Sequence, residues 1–292
     1  MTRHIAIATC DQLPDGDPDD QLLITALLEL GLRASLLAWS APEVDWTAFD
    51  ATMLRSTWDY TVRRTEFLAW ADRVPRLHNP AAVIHANSDK RYLAELAAAG
   101  LPVVPTVFVA PGESAELPTA GEFVVKPSVG AGSRGAGRFD ADLAGTADLA
   151  DAHLQALHQA GRTAMIQPYL SGVDTAGETA LIFLDGQFSH SVCKSAMLPP
   201  DSRHPVAGGD LYVAETITAR QPSAAELAVA DQVLTQLTGG LSEPLLYARI
   251  DLLPSPDGPL VVEAELTEPS LFLSYAEGAA SRLAEAISAR TA

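Results

Sequence analysis

The stretch YARIDLLPSPDGPLVVEAEL, Tyr247–Leu266, decides how this 292-residue chain is read. Two apolar runs flank Asp257-Gly258, a dipeptide that favours a hairpin turn. Residues two apart on a strand point to the same side. Arg249 and Asp251 therefore share one face of the first strand, and Glu263 and Glu265 share one face of the second. Pairing the strands gathers three carboxylates and a guanidinium around one spot. Carboxylates so close repel unless a cation joins them. Hard oxygen donors in that number suit Mg2+, which keeps waters and substrate phosphates in its other positions. The plainer alternative is an acidic solvent face on an edge hairpin. Ile250, Leu252, Val262 and Leu266 weaken it, because they give the opposite face an apolar surface to bury.

A second stretch, FVVKPSVGAGSRGAGRF (Phe123–Phe139), runs from a short apolar strand through Lys126 into Gly130, Gly132, Gly135 and Gly137. A P-loop has the opposite order, with its lysine after the glycines at the start of a helix. Here the lysine ends a strand, and the glycines form a flap that returns into the next strand. Gly132 and Ser133 are the loop residues expected nearest phosphate. The chain has only three lysines, Lys90, Lys126 and Lys194, and arginine supplies its other fixed positive charge. GC-rich codon usage explains their scarcity but not their places: before a helix, before the glycine loop, and at a strand end. A compact ammonium that approaches a phosphate is not freely replaced by a planar guanidinium. Carboxylates for Mg2+, three placed lysines and a glycine loop together point to ATP. A metal hydrolase working without nucleotide fits the loop and the lysines less well.

Outward from these stretches, the chain divides into three textures. HIAIAT, RASLLAW and DATMLRS read as strands alternating with the helices DQLLITALLELG and RRTEFLAWADRV, which makes a small open α/β layer. NSDKRYLAELAAAGLP reads as a helix with Ser88 as its N-cap and a Gly-x-Pro stop. TVFVA, EFVVKP and AMIQPYL are short strands around the helix DLADAHLQALHQAG, a first α+β unit. A second begins with the hairpin ETALIFLDGQFSHSVCKSA and contains the helix SAAELAVADQVLTQLTGG, the Tyr247–Leu266 hairpin and a closing alanine-rich helix. The polar stretch from Ala196 to Asp210 between them has the length of a lid.

Composition narrows the partners. The formal charge of −18 repels nucleic acid and anionic membranes, which are bound through clustered Lys and Arg. No apolar run is long enough to span a bilayer. The opening MTRHIAIATCDQ reads as a first strand rather than a cleavable signal, so cytoplasm is the expected location. Cys10 and Cys193 form no metal or redox motif and read as free thiols.

Order and spacing of these motifs resemble the ATP-grasp superfamily from about Asn87 to Leu273. The resemblance implies an N-terminal open α/β layer followed by two α+β subdomains that clamp ATP. The boundaries fall at 1–86 for the substrate-side domain, 87–170 for the lid subdomain and 171–292 for the subdomain with the Mg2+ hairpin. Lys90, Lys126 and Lys194 fall on the family's phosphate lysines. IQPYL falls on its adenine segment, with Gln167 where an acidic residue is usual, followed by Tyr169 and Leu170. Asp174 is the implied ribose contact, and Glu178 an orienting one. Asp251 and Glu263 match the ligands of two Mg2+ ions, with Glu265 standing where Asn is common. The implied activity is phosphorylation of a carboxylate, with Lys194 and Arg249 offsetting the charge of transfer and of the later oxyanion.

The substrate end rests on two motifs. LRSTWDY follows the third strand at the carboxyl edge of an open sheet, where ligands bind. It offers Arg55 to a carboxylate, Ser56 and Trp58 as walls and Asp59 to an ammonium. TEPSLFL offers Glu268 and Ser270 to an amino-acid head group. Together they resemble the branch of ATP-grasp ligases that closes O-ureido-D-serine to D-cycloserine with loss of CO2 and NH3. That resemblance implies a small amino-acid-like substrate, with Arg203 and His204 as candidates for promoting carbamoyl loss. A linear amino-acid or dipeptide ligase, and a nucleotide-binding protein with a decayed substrate site, are the alternatives. Homo-oligomerisation stays open.

Overall fold

The computed structural model describes residues 2–206 and 215–291. Its first layer is a parallel sheet of β1 (His4–Thr9), β2 (Arg33–Ala38), β3 (Ala51–Leu54) and β4 (Leu77–His78), in the order β2-β1-β3-β4. Helix α1 (Pro18–Glu29) follows the acidic stretch that begins at Asp11. Asp17 caps it by accepting the Asp19 N–H, Asp20 returns a bond to the Asp17 N–H, and Pro18 needs no donor in the first turn. Helix α2 (Arg64–Ala71) follows the third strand.

One expected helix start is corrected. Ser88 does not cap the next helix. Its N–H donates to the Ile84 carbonyl and closes α3 (Ala81–Asn87), while its hydroxyl accepts from Arg64. Helix α4 (Tyr92–Ala98) begins beyond it with no side-chain cap, and Lys90 lies in the turn between the two helices.

The second sheet is antiparallel, of β5 (Val107–Val109), β6 (Glu122–Pro127), β7 (Gly137–Asp140) and β8 (Ala164–Pro168) in the order β5-β8-β6-β7. Helix α5 (Thr146–Gln159) covers one face, burying Leu154 and Leu157 against Phe123, Val125 and Phe139. The glycine loop joins β6 to β7, as expected. After the single turn α6 (Val173–Ala176) comes the third sheet. It holds β9 (Glu178–Leu184), β10 (Gln187–Lys194), β11 (Ile217–Ala219), β12 (Tyr247–Leu253) and β13 (Leu260–Glu265), antiparallel in the order β11-β10-β9-β12-β13. Helices α7 (Ala224–Thr238) and α8 (Ala279–Arg290) complete the chain.

The cores cross the sequence boundaries. Tyr92, Leu93 and Leu96 of α4 bury against Ile250, Leu252 and Val261, so the segment just past residue 87 belongs to the third sheet's core rather than the second's. Leu283 and Ile287 of α8 share a core with Ile5, Ile7 and Leu27, which ties the C-terminal helix to the first layer. Among the described residues, no helix is long and apolar enough to cross a membrane.

Candidate active site

The Tyr247–Leu266 hairpin pairs Arg249 with Glu265 and Asp251 with Glu263. A bulge then sets Leu252 opposite Val261, leaving Val262 as the extra residue. The bulge corrects one expectation. Val262 does not join Ile250, Leu252 and Leu266 in the core but faces the same cleft as Glu263 and Glu265. That cleft, of about 460 Å³, runs between the second and third sheets and opens against the first layer.

Its middle holds the charges. Lys194 donates to Glu178 at 2.6 Å and to Asp251 at 3.3 Å. Lys90 pairs with Glu263 at 2.8 Å and donates to the Gly130 carbonyl at 2.6 Å, which fastens the glycine loop to the carboxylate hairpin. Burial alone would lower both ammonium pKa values, but Asp251 and Glu178 hold Lys194 well above the ordinary value, and Glu263 holds Lys90 above it. Lys126 differs. Among the described residues it forms neither a hydrogen bond nor an ion pair, and burial, with Lys90 and Lys194 beside it, lowers its pKa. An unpaired ammonium shielded from water is short of a counter-charge. Gly132 and Ser133, both at positive φ, line the cleft next to it.

Arg249 uses four of its five N–H donors. Nε and one terminal nitrogen grip Asp251, the same nitrogen reaches Glu265, and the other donates to the Ser270 carbonyl. Burial would raise Asp251, but Arg249 and Lys194 outweigh it and hold that carboxyl well below the usual range. Burial pushes Glu265 up to about 8, and Glu178 up to about 7. The cleft thus carries more buried carboxylate than its own cations neutralise. Among the described residues, no three acidic, His or Cys side chains are gathered as a ready-made metal cage. The donor set nonetheless fits Mg2+, which takes one or two carboxylates and completes its shell with substrate phosphates and water.

At one end Val104, Val124, Leu170, Val173, Leu198 and Leu253 form an apolar slot. Gln167 lies on its floor, buried, with its amide donating to Thr106 at 2.8 Å. The Tyr169 N–H is already spent on the Glu122 carbonyl. Asp174 is not in the cleft lining. It accepts from the Tyr169 hydroxyl at 2.5 Å and from Arg138, whose guanidinium sits 3.5 Å from the Tyr169 ring centre. The Ser202 carbonyl and the His204 N–H bond to β7 and to Ala136, so Arg203 and His204 lie along that strand. Residues 207–210 of the expected lid lie outside the described residues.

At the other end, the sequence reading of LRSTWDY is corrected. Arg55, 2% exposed, bonds Asp20 at 2.9 Å and the Pro269 carbonyl at 2.8 Å. Ser56 also bonds Asp20, and Asp59 accepts from Trp39 at 2.7 Å. None of the three lines the cleft; of the motif, Trp58 does. Glu268 and Ser270 line it as expected, joined by Asp17, Asp19 and Phe272, which the sequence reading did not single out. Asp17 also caps α1, and Asp19 lies in its first turn.

The segment that carries Glu268 has no regular structure, yet its carbonyls are all bonded. Six consecutive carbonyls, from Leu266 to Leu271, accept side-chain donors from Asn79, Tyr247, Trp58, Arg55, Arg249 and His190 in turn. Asp19 then accepts the Leu273 and Ser274 N–H groups at 2.6 and 3.2 Å.

Three sheets around a lysine-lined, carboxylate-rich cleft under a glycine flap define an ATP-grasp ligase. A D-alanine–D-alanine ligase from Bacillus anthracis, solved in complex with ATP, shares this fold at TM-score 0.63 and 14% identity, covering 99% of this chain and 97% of its own. Residues 5–79 match the family described as the N-terminal domain of the D-cycloserine synthetase DcsG. The cycloserine biosynthesis protein DcsG of Streptomyces lavendulae is 40% identical over 287 residues, 94% of each chain. A crystal structure of D-cycloserine synthetase DcsG superposes at TM-score 0.88 with 38% identity, over 99% of this chain and all of that one. This chain belongs to the D-cycloserine synthetase family.

Proposed function

We propose that this ligase activates the carboxylate of O-ureido-D-serine with ATP and closes it to D-cycloserine. The supporting observation is the continuity of one cleft. Its apolar slot, its unpaired Lys126 and Arg249, backed by the buried Asp251, lead directly to a wall of Trp58, Asp17, Glu268, Ser270 and Phe272. That wall offers the Asp17 carboxylate to an ammonium and an aromatic face to a short side chain.

In this reading the apolar slot and Gln167 take adenine, with Tyr169 and Leu170 at its edge. Lys90, Lys126 and Lys194 meet the phosphates, with Gly132 and Ser133 above them. Asp251, Glu263 and Glu265 would hold two Mg2+ ions, which supply charge neutralisation between phosphate oxygens and the acidic hairpin. The Arg249 donor left over after its four bonds reaches the substrate carboxylate and later the tetrahedral oxyanion. Lys194 offsets charge as the γ-phosphoryl group moves in line onto that carboxylate. The glycine loop, tied to the hairpin through Lys90, and the segment around Met197 and Leu198 exclude water that would otherwise hydrolyse the acylphosphate. Asp174 serves by bracing Tyr169 rather than by touching ribose. The substrate is a small molecule.

The test is incubation with ATP, Mg2+ and O-ureido-D-serine, with the product identified by mass. ADP and cycloserine in equal amounts are expected. A requirement for a second, amine-bearing substrate sinks ring closure in favour of a linear ligase.

A further inference from the structure

We propose that Glu268 is the proton acceptor of ring closure, taking the proton of the ureido nitrogen as that nitrogen attacks the activated acyl carbon. The proposal rests on the cyclo-ligase reading and goes beyond it by naming the base.

The step balances as follows. The nitrogen bonded to the side-chain oxygen gives its lone pair to the acyl carbon. A C–N bond forms, the C–O bond to phosphate breaks, and phosphate leaves with that electron pair. The nitrogen's proton passes to a Glu268 carboxylate oxygen and is released to solvent after turnover. The carbamoyl group then leaves by addition of one water, as CO2 and NH3.

Four observations single out Glu268 among the acids of the cleft. Glu215 also lines the cleft but is only half-buried. Of the rest, Asp251 and Glu265 are held by Arg249, Glu263 by Lys90 and Glu178 by Lys194, while Asp17 and Asp19 accept backbone N–H groups. Glu268 forms no ion pair among the described residues, lies 6% exposed in the cleft wall, and has the Tyr60 hydroxyl beside its carboxyl, favouring the ionised form. Its own carbonyl is fixed by Trp58 and the next by Arg55, so the carboxylate is placed by the frame and not by its chain alone. Finally, it shares the cleft lining with Arg249, which is near enough to act on its carboxyl, so an acyl group bound at that guanidinium comes close to it.

The groups facing it set its titration. Burial pushes Glu268 up to about 7. Lys90, Tyr60 and Arg249 pull against that rise, and Glu263 adds to it; Glu265 lies near as a further carboxylate. A base is most effective with a pKa near the working pH. The base is needed ionised, so turnover rises with pH through about 7.

The experiment compares wild-type protein with Glu268→Gln and Tyr60→Phe, measuring ADP, cycloserine and acylphosphate trapped by hydroxylamine. In E268Q, ring formation is expected to fall by about 10²–10⁴-fold, the range general-base catalysis contributes. Acylphosphate is still trapped, ADP is still released, KM for the substrate stays within a few-fold, and the pH limb near 7 is lost. Y60F removes a partner of the ionised form, so the limb moves to higher pH. ADP and cycloserine falling together with a raised KM would reduce Glu268 to an ammonium contact and overturn the proposal. So would wild-type ring formation by E268Q, or, if E268Q does not fold, an unmoved limb in Y60F. Wild-type protein that releases ADP without cycloserine sinks the ring-closing reading itself, before any variant is compared.

Discussion

Lys126, half-buried, and Arg55, buried, are both cations at the carboxyl ends of strands, and they do opposite things. Lys126 forms no hydrogen bond or ion pair among the described residues, whereas Arg55 is paired with Asp20 and the Pro269 carbonyl. A buried charge without a partner costs stability, and a fold keeps one where a ligand supplies the partner. A buried charge with all its bonds made holds structure together. On the proposed reading, the phosphate end keeps one lysine without a partner and the substrate end is braced.

The sharpest way to break the comparison is Asp251→Asn. It removes the anion that both Arg249 and Lys194 grip, and kcat is expected to fall by about 10³-fold or more. Near-wild-type turnover would mean that the hairpin is not the catalytic centre. Next, Arg55→Ala leaves Asp20 buried without its partner. Loss of about 3–5 kcal/mol in denaturant unfolding is expected. Lys126→Ala is its counterpart. ATP affinity should drop about 10–100-fold in calorimetry, while unfolding stability stays level or rises, because an unpaired, partly shielded charge is gone. If K126A unfolds as readily as R55A, the contrast between the two ends is lost.

A smaller effect sharpens the same contrast through pH. Glu265 and Glu178 have folded pKa values raised to about 8 and about 7, so the folded chain binds their protons more tightly than the unfolded one. Their contribution is fully present below the unfolded carboxylate range near 4 and is lost as pH rises through 7 to 8. Asp251, shifted the other way, loses its contribution only as pH falls through its own depressed value. Thermal melts of ligand-free protein should therefore decline from pH 5 to pH 9, and Mg2+ with ATP should flatten the decline. Smallest of all, Gln167→Ala should weaken ATP only a few-fold, since adenine also rests on apolar walls.

The phosphate end was the more legible in the sequence for the same reason that it is left unsaturated. Its residues announce themselves by chemistry that local structure does not need: three lysines in the whole chain, a glycine flap, alternating acids on a hairpin. The β13 bulge was not legible, because alternation gives no warning of an inserted residue, and it turned Val262 from core to cleft. Arg55 was misread because its partner, Asp20, lies 35 residues earlier in the acidic loop, where it also completes a helix cap. A charged residue at a strand end looks the same whether it awaits a ligand or has already met a partner far along the chain. Ser88 was misread because α3, which it closes, carries no cap signal of its own.

The six carbonyls from Leu266 to Leu271 have a consequence for how the enzyme comes into being. Their donors lie at positions from 55 to 249, on the first layer and the third sheet, and the segment makes no ladder of its own. Contacts so distant in sequence form late. Helices and sheets can be complete while this segment still wanders. Refolding should then restore circular dichroism before it restores turnover, with the lag marking the moment at which the substrate wall is threaded into place.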